Sequence, residues 1–430
     1  MLTGKHNYKL ILLTLFSIVA LAEPVHAEEV AKINYADTAW IMVSSALVML
    51  MLPGLALFYG GMVRRKNVLS TLMHSFVPLG VVTIQWVVIG YSLAFGADIG
   101  SFVGGLDKMF LAGITMNTLS GTIPELLFCM FQLMFAIITA ALISGGIAER
   151  VDFKAYVVFI AVWTTLVYDP ICHWVWGGGW LGELGALDFA GGTVVHISSG
   201  VAALAAAMVL KKRKGFPGRL MIPHSLPLTL LGAGLLWFGW FGFNAGSALA
   251  ANETAVLAFT NTQIATGAGL LGWLAAEYYK VGKASALGAA SGIVAGLVAI
   301  TPAAGFVEPL WAIVIGFAAG VICYAAVIMK IKMGYDDSLD AFGIHAVGGA
   351  WGALATGLFV TVGGTGLLAG DVKQVMIQIV GIAAAAAYSF IVTYGLVVLL
   401  EKTMGFRVDD ENEEIGLDNT QHGETAYNLV

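Results

Sequence analysis

"DFAGGTVVHISSGVAALAAAMVLKKR", residues 188–213, opens on a carboxylate, carries an imidazole at His196 and closes on a basic cluster. Between Asp188 and Lys211 there is no charged residue. About 20 apolar residues cross the ~30 Å hydrocarbon layer of a bilayer as a helix. The stretch therefore reads as a membrane span that begins at an aspartate and holds a histidine inside it. A second stretch, "DAFGIHAVGGAWGAL" (340–354), repeats the order: an acidic residue near the start, then a histidine, then a glycine four residues on (Gly200 after His196, Gly349 after His345). Two such stretches predict an internal repeat.

Composition agrees with a chain made of such spans. Of 430 residues, 59% are hydrophobic and only 11% charged, with a mean hydropathy of +0.86. A soluble chain of this length would need more surface charge, so the class is an all-α polytopic membrane protein, in contact with membrane lipid. The 54 glycines suit close helix approach in lipid. Basic residues are dispersed in short loops with no aromatic–basic face, which argues against nucleic acid as a partner. Cys129, Cys172 and Cys323 lie in apolar stretches without CxxC spacing and read as buried structural residues.

Apolar runs of about 20 residues predict eleven helices: 38–62, 69–95, 123–148, 153–176, 190–210, 225–249, 254–278, 284–303, 307–330, 340–361 and 373–401. Positive residues favour cytoplasmic loops. If alternate loops face inward from "VRRKN" (63–67) onward, sixteen of the 21 Lys and Arg fall inside: Arg64, Arg65, Lys66, Arg150, Lys154, Lys211, Lys212, Arg213, Lys214, Arg219, Lys280, Lys283, Lys330, Lys332, Lys402 and Arg407. Lys32, Lys108 and Lys373 fall outside. The N-terminus is then outside the cytoplasm and the C-terminus inside. The first segment, "MLTGKHNYKLILLTLFSIVALAEPVHA" (1–27), has a basic start, an apolar run from Leu10 to Ala22 and a small residue at its end. It reads as a signal peptide cleaved after Ala27, since that apolar run is too short to span as an anchor. Residues 28–401 then form the membrane domain. The polar, acidic tail 402–430 is a cytoplasmic extension, either disordered or docked on the inner face.

Eleven spans suggest a 5+5 repeat plus one extra helix. The fifth span runs inward and the tenth outward, so the halves are inverted, and inverted repeats place a substrate path at their interface. Ionisable side chains inside spans are expensive and usually face such a path. His196 and His345, at matching positions, are the leading candidates: facing imidazoles could share one proton, each donating to or accepting from a small polar guest. Metal ligation fits less well, because no HExxH motif or cysteine partner accompanies them, and no cofactor is expected. Asp188 has two readings, a helix N-cap or a cation-attracting group at the outer mouth. Asp169 in "YDPICHW", with His173 nearby, has the same two readings, and beside Pro170 a local cap is the default. Phe131 and Phe135 share a helix face, while Trp176 and the stretch "WFGWFGFNAGS" lie at outward span ends. Together they offer rings and a serine to a small cation.

At these residues the chain resembles the ammonium transporter family that includes the Rhesus proteins. Residues 188–213 agree with the family signature, and "FYGGMVRRKN" (58–67), "GGIAERVDF" (145–153), "HWVWGGGW", "GWFGFNAGSA" (239–248), "VAITPAAG" and "DAFGIHAVGG" are similar to family stretches. The resemblance implies an outer recruitment site for ammonium at Phe135, Trp176 and Ser247, with Phe131 close by, and stacked rings Phe135 and Phe243 gating the entrance. It implies that Asp188 orders this site and is linked to deprotonation. It further implies that His196 and His345 are twin pore histidines, that Trp240 and Thr301 line the path, and that ammonia is what passes. It implies a homotrimer with one pore per subunit in the cytoplasmic (inner) membrane. The tail "GLDNTQHGETAYNLV" resembles the tail of bacterial members and implies docking of a PII-type nitrogen-signalling protein. An ammonium sensor signalling through the tail is the alternative, and no output domain follows residue 401 to favour it. An enzyme with a histidine-bound metal fits least.

Overall fold

The computed structural model describes residues 32–428. The expected signal segment, 1–27, lies outside them. Among the described residues, nine helices are long and apolar enough to cross a membrane: Tyr35–Met62, Arg65–Phe95, Glu125–Ile147, Phe153–Leu184, Gly192–Leu210, Leu226–Gly246, Pro309–Met333, Phe342–Phe359 and Val372–Thr403. Helices Glu253–Val281 and Ala286–Ile300 occupy the places expected of the seventh and eighth spans. The first of these dilutes its apolar run with Asn261, Thr262 and Thr266, all buried. Asn261 Nδ2 donates to the carbonyls of Ala304 (2.9 Å) and Val307 (2.7 Å), and Thr262 Oγ1 accepts from Asn244 Nδ2 at 2.9 Å. The second has 15 residues, roughly 22 Å at ~1.5 Å per residue, and passes into a turn at Thr301. Polar side chains paired inside the bundle thus lower the hydropathy of a helix that is still packed within it.

Helix Tyr35–Met62 packs along Leu226–Gly246, Glu253–Val281 packs against Pro309–Met333, and Val372–Thr403 lies against Ser198–Leu210. Among the described residues four helices contain π-turns, at Trp86–Gly90, Thr164–Tyr168, Gly192–Ile197 and Phe342–Ala346. Such turns insert an extra residue and concentrate at functional positions. The last two carry the histidines, and each runs into a helix of 13 residues, Ser198–Leu210 and Val347–Phe359. The two units touch reciprocally. A Cβ on Gly200 would collide with the Ala346 nitrogen, and one on Gly349 would stand 2.9 Å from Gly192 O and 3.0 Å from His196 Cβ. The glycine that follows each histidine by four residues is where the other unit's backbone comes closest.

The loop 96–124 departs from the all-helical expectation by closing two short antiparallel pairings, Asp98–Ile99 with Val103–Gly104 and Leu119–Ser120 with Ile123–Pro124. They satisfy backbone groups that no helix serves.

The tail is docked. Its helices Asp410–Ile415 and Leu417–His422 sit on the face that carries the basic loops. Asp418 Oδ1 accepts from Ser70 N at 2.9 Å, and Leu417 N donates to Asn67 Oδ1 at 2.8 Å. Lys66 Nζ donates to the Glu413 and Glu414 carbonyls. Beneath it, Arg213 bridges Asp336 (Nη2–Oδ1, 2.8 Å) and Glu149 (Nη1–Oε2, 2.8 Å), and Arg64 Nε reaches Glu149 at 3.0 Å. Burial alone would push the Asp336 carboxyl up, but hydrogen bonds and charge from Arg213, with Arg150 behind, hold it at about 2.

Candidate functional site

The reciprocal contact of the two π-turn units brings His196 and His345 together. Their Nδ1 atoms are 3.3 Å apart, with ring centroids at 5.3 Å and planes inclined by 18°. Both residues are buried. One Nδ1 donates and the other accepts, so in a neutral pair one Nε2 is bare and the other carries hydrogen. His196 Nε2 has no partner among the described residues. The rings border a cavity of about 10 Å³ whose other walls, including Leu55, Ile138, Leu236 and Val294, are apolar. That is room for roughly one water-sized molecule.

A column of rings continues from this waist. Trp240 stacks on His196 (5.4 Å, 19°), held by Nε1 donating to Thr301 Oγ1 at 2.9 Å, and Thr301 donates in turn to Leu297 O at 2.8 Å. Phe243 lies 6.1 Å from His196 and 4.3 Å from Phe135, the latter pair at 32°. Phe135 meets Trp176 edge-on at 6.0 Å and Phe131 at 5.0 Å. Above the column a cavity of about 310 Å³ is bounded by Phe135, Trp176 and Ser247, together with Phe128 and Gln132. Ser247 Oγ donates to Phe243 O at 2.8 Å, which leaves its lone pairs free to accept. Phe131 stands behind Phe135 against Gly246 and does not border this cavity. The larger cavity of about 600 Å³, between Trp40, Val256 and Phe259, shares no residue with the ring column.

Asp188 uses both carboxylate oxygens as a cap. Oδ1 accepts from Gly191 N (2.9 Å) and Gly192 N (2.6 Å), and Oδ2 from Thr193 N (2.8 Å) and Val194 N (3.0 Å). Gly191, at φ +114°, supplies the left-handed turn that points these donors at one side chain. The Asp188 carbonyl accepts from Trp176 Nε1 at 2.9 Å, tying the cavity's indole to the π-turn of His196.

The second unit has its own cap, and it is not the acid nearest the histidine. Asp337 accepts from Ala341 N (3.0 Å) and Phe342 N (2.9 Å), eight residues before His345 as Asp188 is eight before His196. Asp340 instead has φ +65° and pairs with Lys330. Equal spacing was the signal for Asp337, hidden by the closer acid. Burial pushes the Asp337 carboxyl up to about 6 against the opposing pull of Lys330.

Asp169 is not a local cap. Its Oδ2 accepts from Gln85 Nε2 of the second span at 2.7 Å. Pro170 lacks the N–H that would bond the carbonyl four residues before it, and that carbonyl, of Leu166, accepts from Tyr388 Oη at 2.8 Å instead. Gln132, three residues before Phe135, also borders the cavity; helical spacing alone does not select it, because the same spacing fits Phe131, which stands behind.

The model of the Ammonium Transporter Family matches residues 39–427. The chain belongs to the ammonium transporter family. It is 53% identical to the ammonium transporter of Bacillus subtilis (strain 168), across 91% of this chain and 98% of that one. With ammonium transporter Amt1 of Archaeoglobus fulgidus the identity is 48%, across 91% and 99%. Among solved structures, Saccharomyces cerevisiae Mep2 superimposes with a TM-score of 0.84 at 38% identity, covering 88% of this chain and 90% of that one. A structure named Sensor Amt Protein matches with a TM-score of 0.84 at 30% identity, across 90% and 98%. This ammonium transporter family member is accordingly a multi-pass membrane protein, and its family is one of transporters rather than enzymes.

Proposed function

We propose that this transporter receives ammonium in the cavity bounded by Phe135, Trp176 and Ser247, separates its proton near Asp188, and passes ammonia by Phe243, Trp240 and the His196–His345 pair into the cytoplasm. The observation that carries the reading is the waist, which is about one small molecule wide, walled by apolar groups and served only by two imidazoles. A desolvated cation–π contact stabilises by about 2 kcal/mol, enough at three rings and a hydroxyl to collect a cation at a mouth. Carrying an unpaired charge through an apolar medium costs tens of kcal/mol by Born reasoning. Ammonium escapes that cost by leaving a proton behind, and potassium and sodium have none to leave. A bare and a protonated Nε2 then offer ammonia an acceptor and a donor in one place.

The same reading takes the chain as eleven spans in two inverted halves of five plus one. It assembles as a homotrimer with one pore per subunit in the cytoplasmic membrane, N-terminus outside. The docked tail offers a cytoplasmic surface to a PII-type signalling protein. The test is proteoliposomes under an ammonium gradient, read both as internal pH and as current. In intact protein the lumen turns alkaline as ammonia arrives and takes up a proton, and potassium carries no current; His196→Ala and His345→Ala admit potassium as a current. Unaltered selectivity in both variants would refute the filtering role.

A further inference from the structure

Asp169 has no solvent exposure, yet its carboxyl group receives a single hydrogen bond. Oδ2 accepts from Gln85 Nε2 at 2.7 Å, and Oδ1 has no partner among the described residues. Gln85 has the complementary deficit. Its Nε2 serves Asp169 and Thr165 Oγ1 (3.0 Å), while its Oε1 is shielded from solvent without a donor. Among the described residues no lysine or arginine forms an ion pair with Asp169. The titratable groups around it are Tyr168 and Cys172 on its own helix, His173 one turn on, and Asp188 at the start of the fifth span. An ionised carboxylate so placed is strongly disfavoured. One proton removes every deficit together. It cancels the charge and makes Oδ1 a donor, the kind of group that the Gln85 carbonyl lacks. An acid and an amide then close a ring of two hydrogen bonds, O–H to amide oxygen and N–H to acid oxygen.

We propose that Asp169 is a proton-binding site: it is held as a neutral acid in a two-bond pair with Gln85, and this pair fixes the segment Asp169–Trp176 against the second span. The placement supports a positioning role. Asp169, His173 and Trp176 follow at helical spacing along one face. His173 Nδ1 lies 3.0 Å from Ala94 O and Nε2 2.8 Å from Asp98 Oδ1, while Trp176 Nε1 binds the Asp188 carbonyl. Successive turns of one short helix thus attach to the middle of the second span, to its end, and to the cap of the fifth. Gln85 immediately precedes the π-turn Trp86–Gly90, and Asp169 immediately follows Thr164–Tyr168. The pair therefore bridges two helices where each departs from α geometry. The consequence for ammonium rests on Trp176 belonging to the recruitment site, whereas the proton on Asp169 does not.

Infrared spectroscopy of the full-length protein in liposomes, between about pH 5 and pH 9, reads the proton directly. A protonated carboxylic C=O band above the amide envelope is expected. It should persist to the alkaline end, shift on deuteration, vanish in Asp169→Asn and move in Gln85→Leu. In uptake assays Asp169→Asn, whose amide can rebuild the two-bond pair, keeps the half-saturating ammonium concentration within about twofold. Asp169→Leu and Gln85→Leu raise it about fivefold or more, because each leaves a buried polar group unpaired, with a smaller effect on the maximal rate. Absence of the band in intact protein, or its survival in Asp169→Asn, overturns the proton assignment without needing any variant to transport. A present band with unchanged half-saturation in both leucine variants overturns the positioning role. Trp176→Leu in the same assay separates that result from failure of the recruitment reading, which would leave its half-saturation unchanged as well.

Discussion

Asp188→Asn separates the two things that a carboxylate at the mouth of the fifth span can do. Four backbone N–H groups, from Gly191 to Val194, point at its two oxygens at 2.6–3.0 Å. An asparagine keeps one acceptor oxygen and turns an amide donor toward the other two N–H groups. Hydrogen bonds to a charged acceptor contribute about 1.5–3 kcal/mol each, so losing two costs about 3–6 kcal/mol before donor faces donor. Whole domains are stable by only about 5–15 kcal/mol, so the loss is large on that scale. The assay is thermal unfolding followed by intrinsic tryptophan fluorescence in detergent, run beside ammonium uptake in vesicles. The unfolding midpoint and the uptake are expected to fall together, because the turn that delivers His196 to the waist loses its cap. A variant that unfolds like the intact protein but no longer binds ammonium would refute this argument and make Asp188 a charge-attracting group only.

Gly200→Ala drives a methyl group into the backbone of Ala346, the neighbour of His345. Overpacking of this kind costs about 1–3 kcal/mol, and the displaced imidazole lowers uptake more than stability falls. Normal uptake in that variant would mean the two units can part without loss. Acid tests the charge network under the tail. Asp336 is held at about 2, below the ordinary ~4 of a free aspartate. Its contribution is complete above the ordinary value and is lost as pH falls through the folded one, roughly 2–3 kcal/mol in all. Asp336→Asn should therefore lower the unfolding midpoint at neutral pH and flatten its decline between about pH 4 and pH 2. An unchanged slope would show that the acid sensitivity lies elsewhere.

Hydropathy located the helices because lipid leaves a chain few alternatives, and boundaries such as Met62, Phe95, Phe153 and Leu210 coincide with the ends of apolar runs. The seventh of the eleven expected spans is a helix, Glu253–Val281, but Asn261, Thr262 and Thr266 leave it less apolar than the nine that are long and apolar enough to cross, since composition cannot distinguish a satisfied polar group from an exposed one. The histidine pair was visible as a repeated pattern, but their separation was not, because it depends on π-turns that no residue preference announces. The acid of the second unit was misjudged for a related reason. Proximity favoured Asp340, whereas the geometry of a cap preserves spacing and selects Asp337. The ring column reached the sequence reading through family resemblance, since aromatic residues at span ends are equally at home in an interfacial belt. Asp169 and Gln85 are 84 residues apart, and nothing local in either segment points to the other.

The waist is made twice from one pattern: an acid cap, a π-turn with its histidine, a 13-residue helix and a glycine seated on its twin. On the reading proposed above, a constriction with that two-fold character offers ammonia an imidazole from either half and has no ratchet of its own. Net flow would then follow the ammonia gradient. Any bias between uptake and leakage must come from the unrepeated parts of the molecule, the aromatic bowl at one opening and the folded tail at the other.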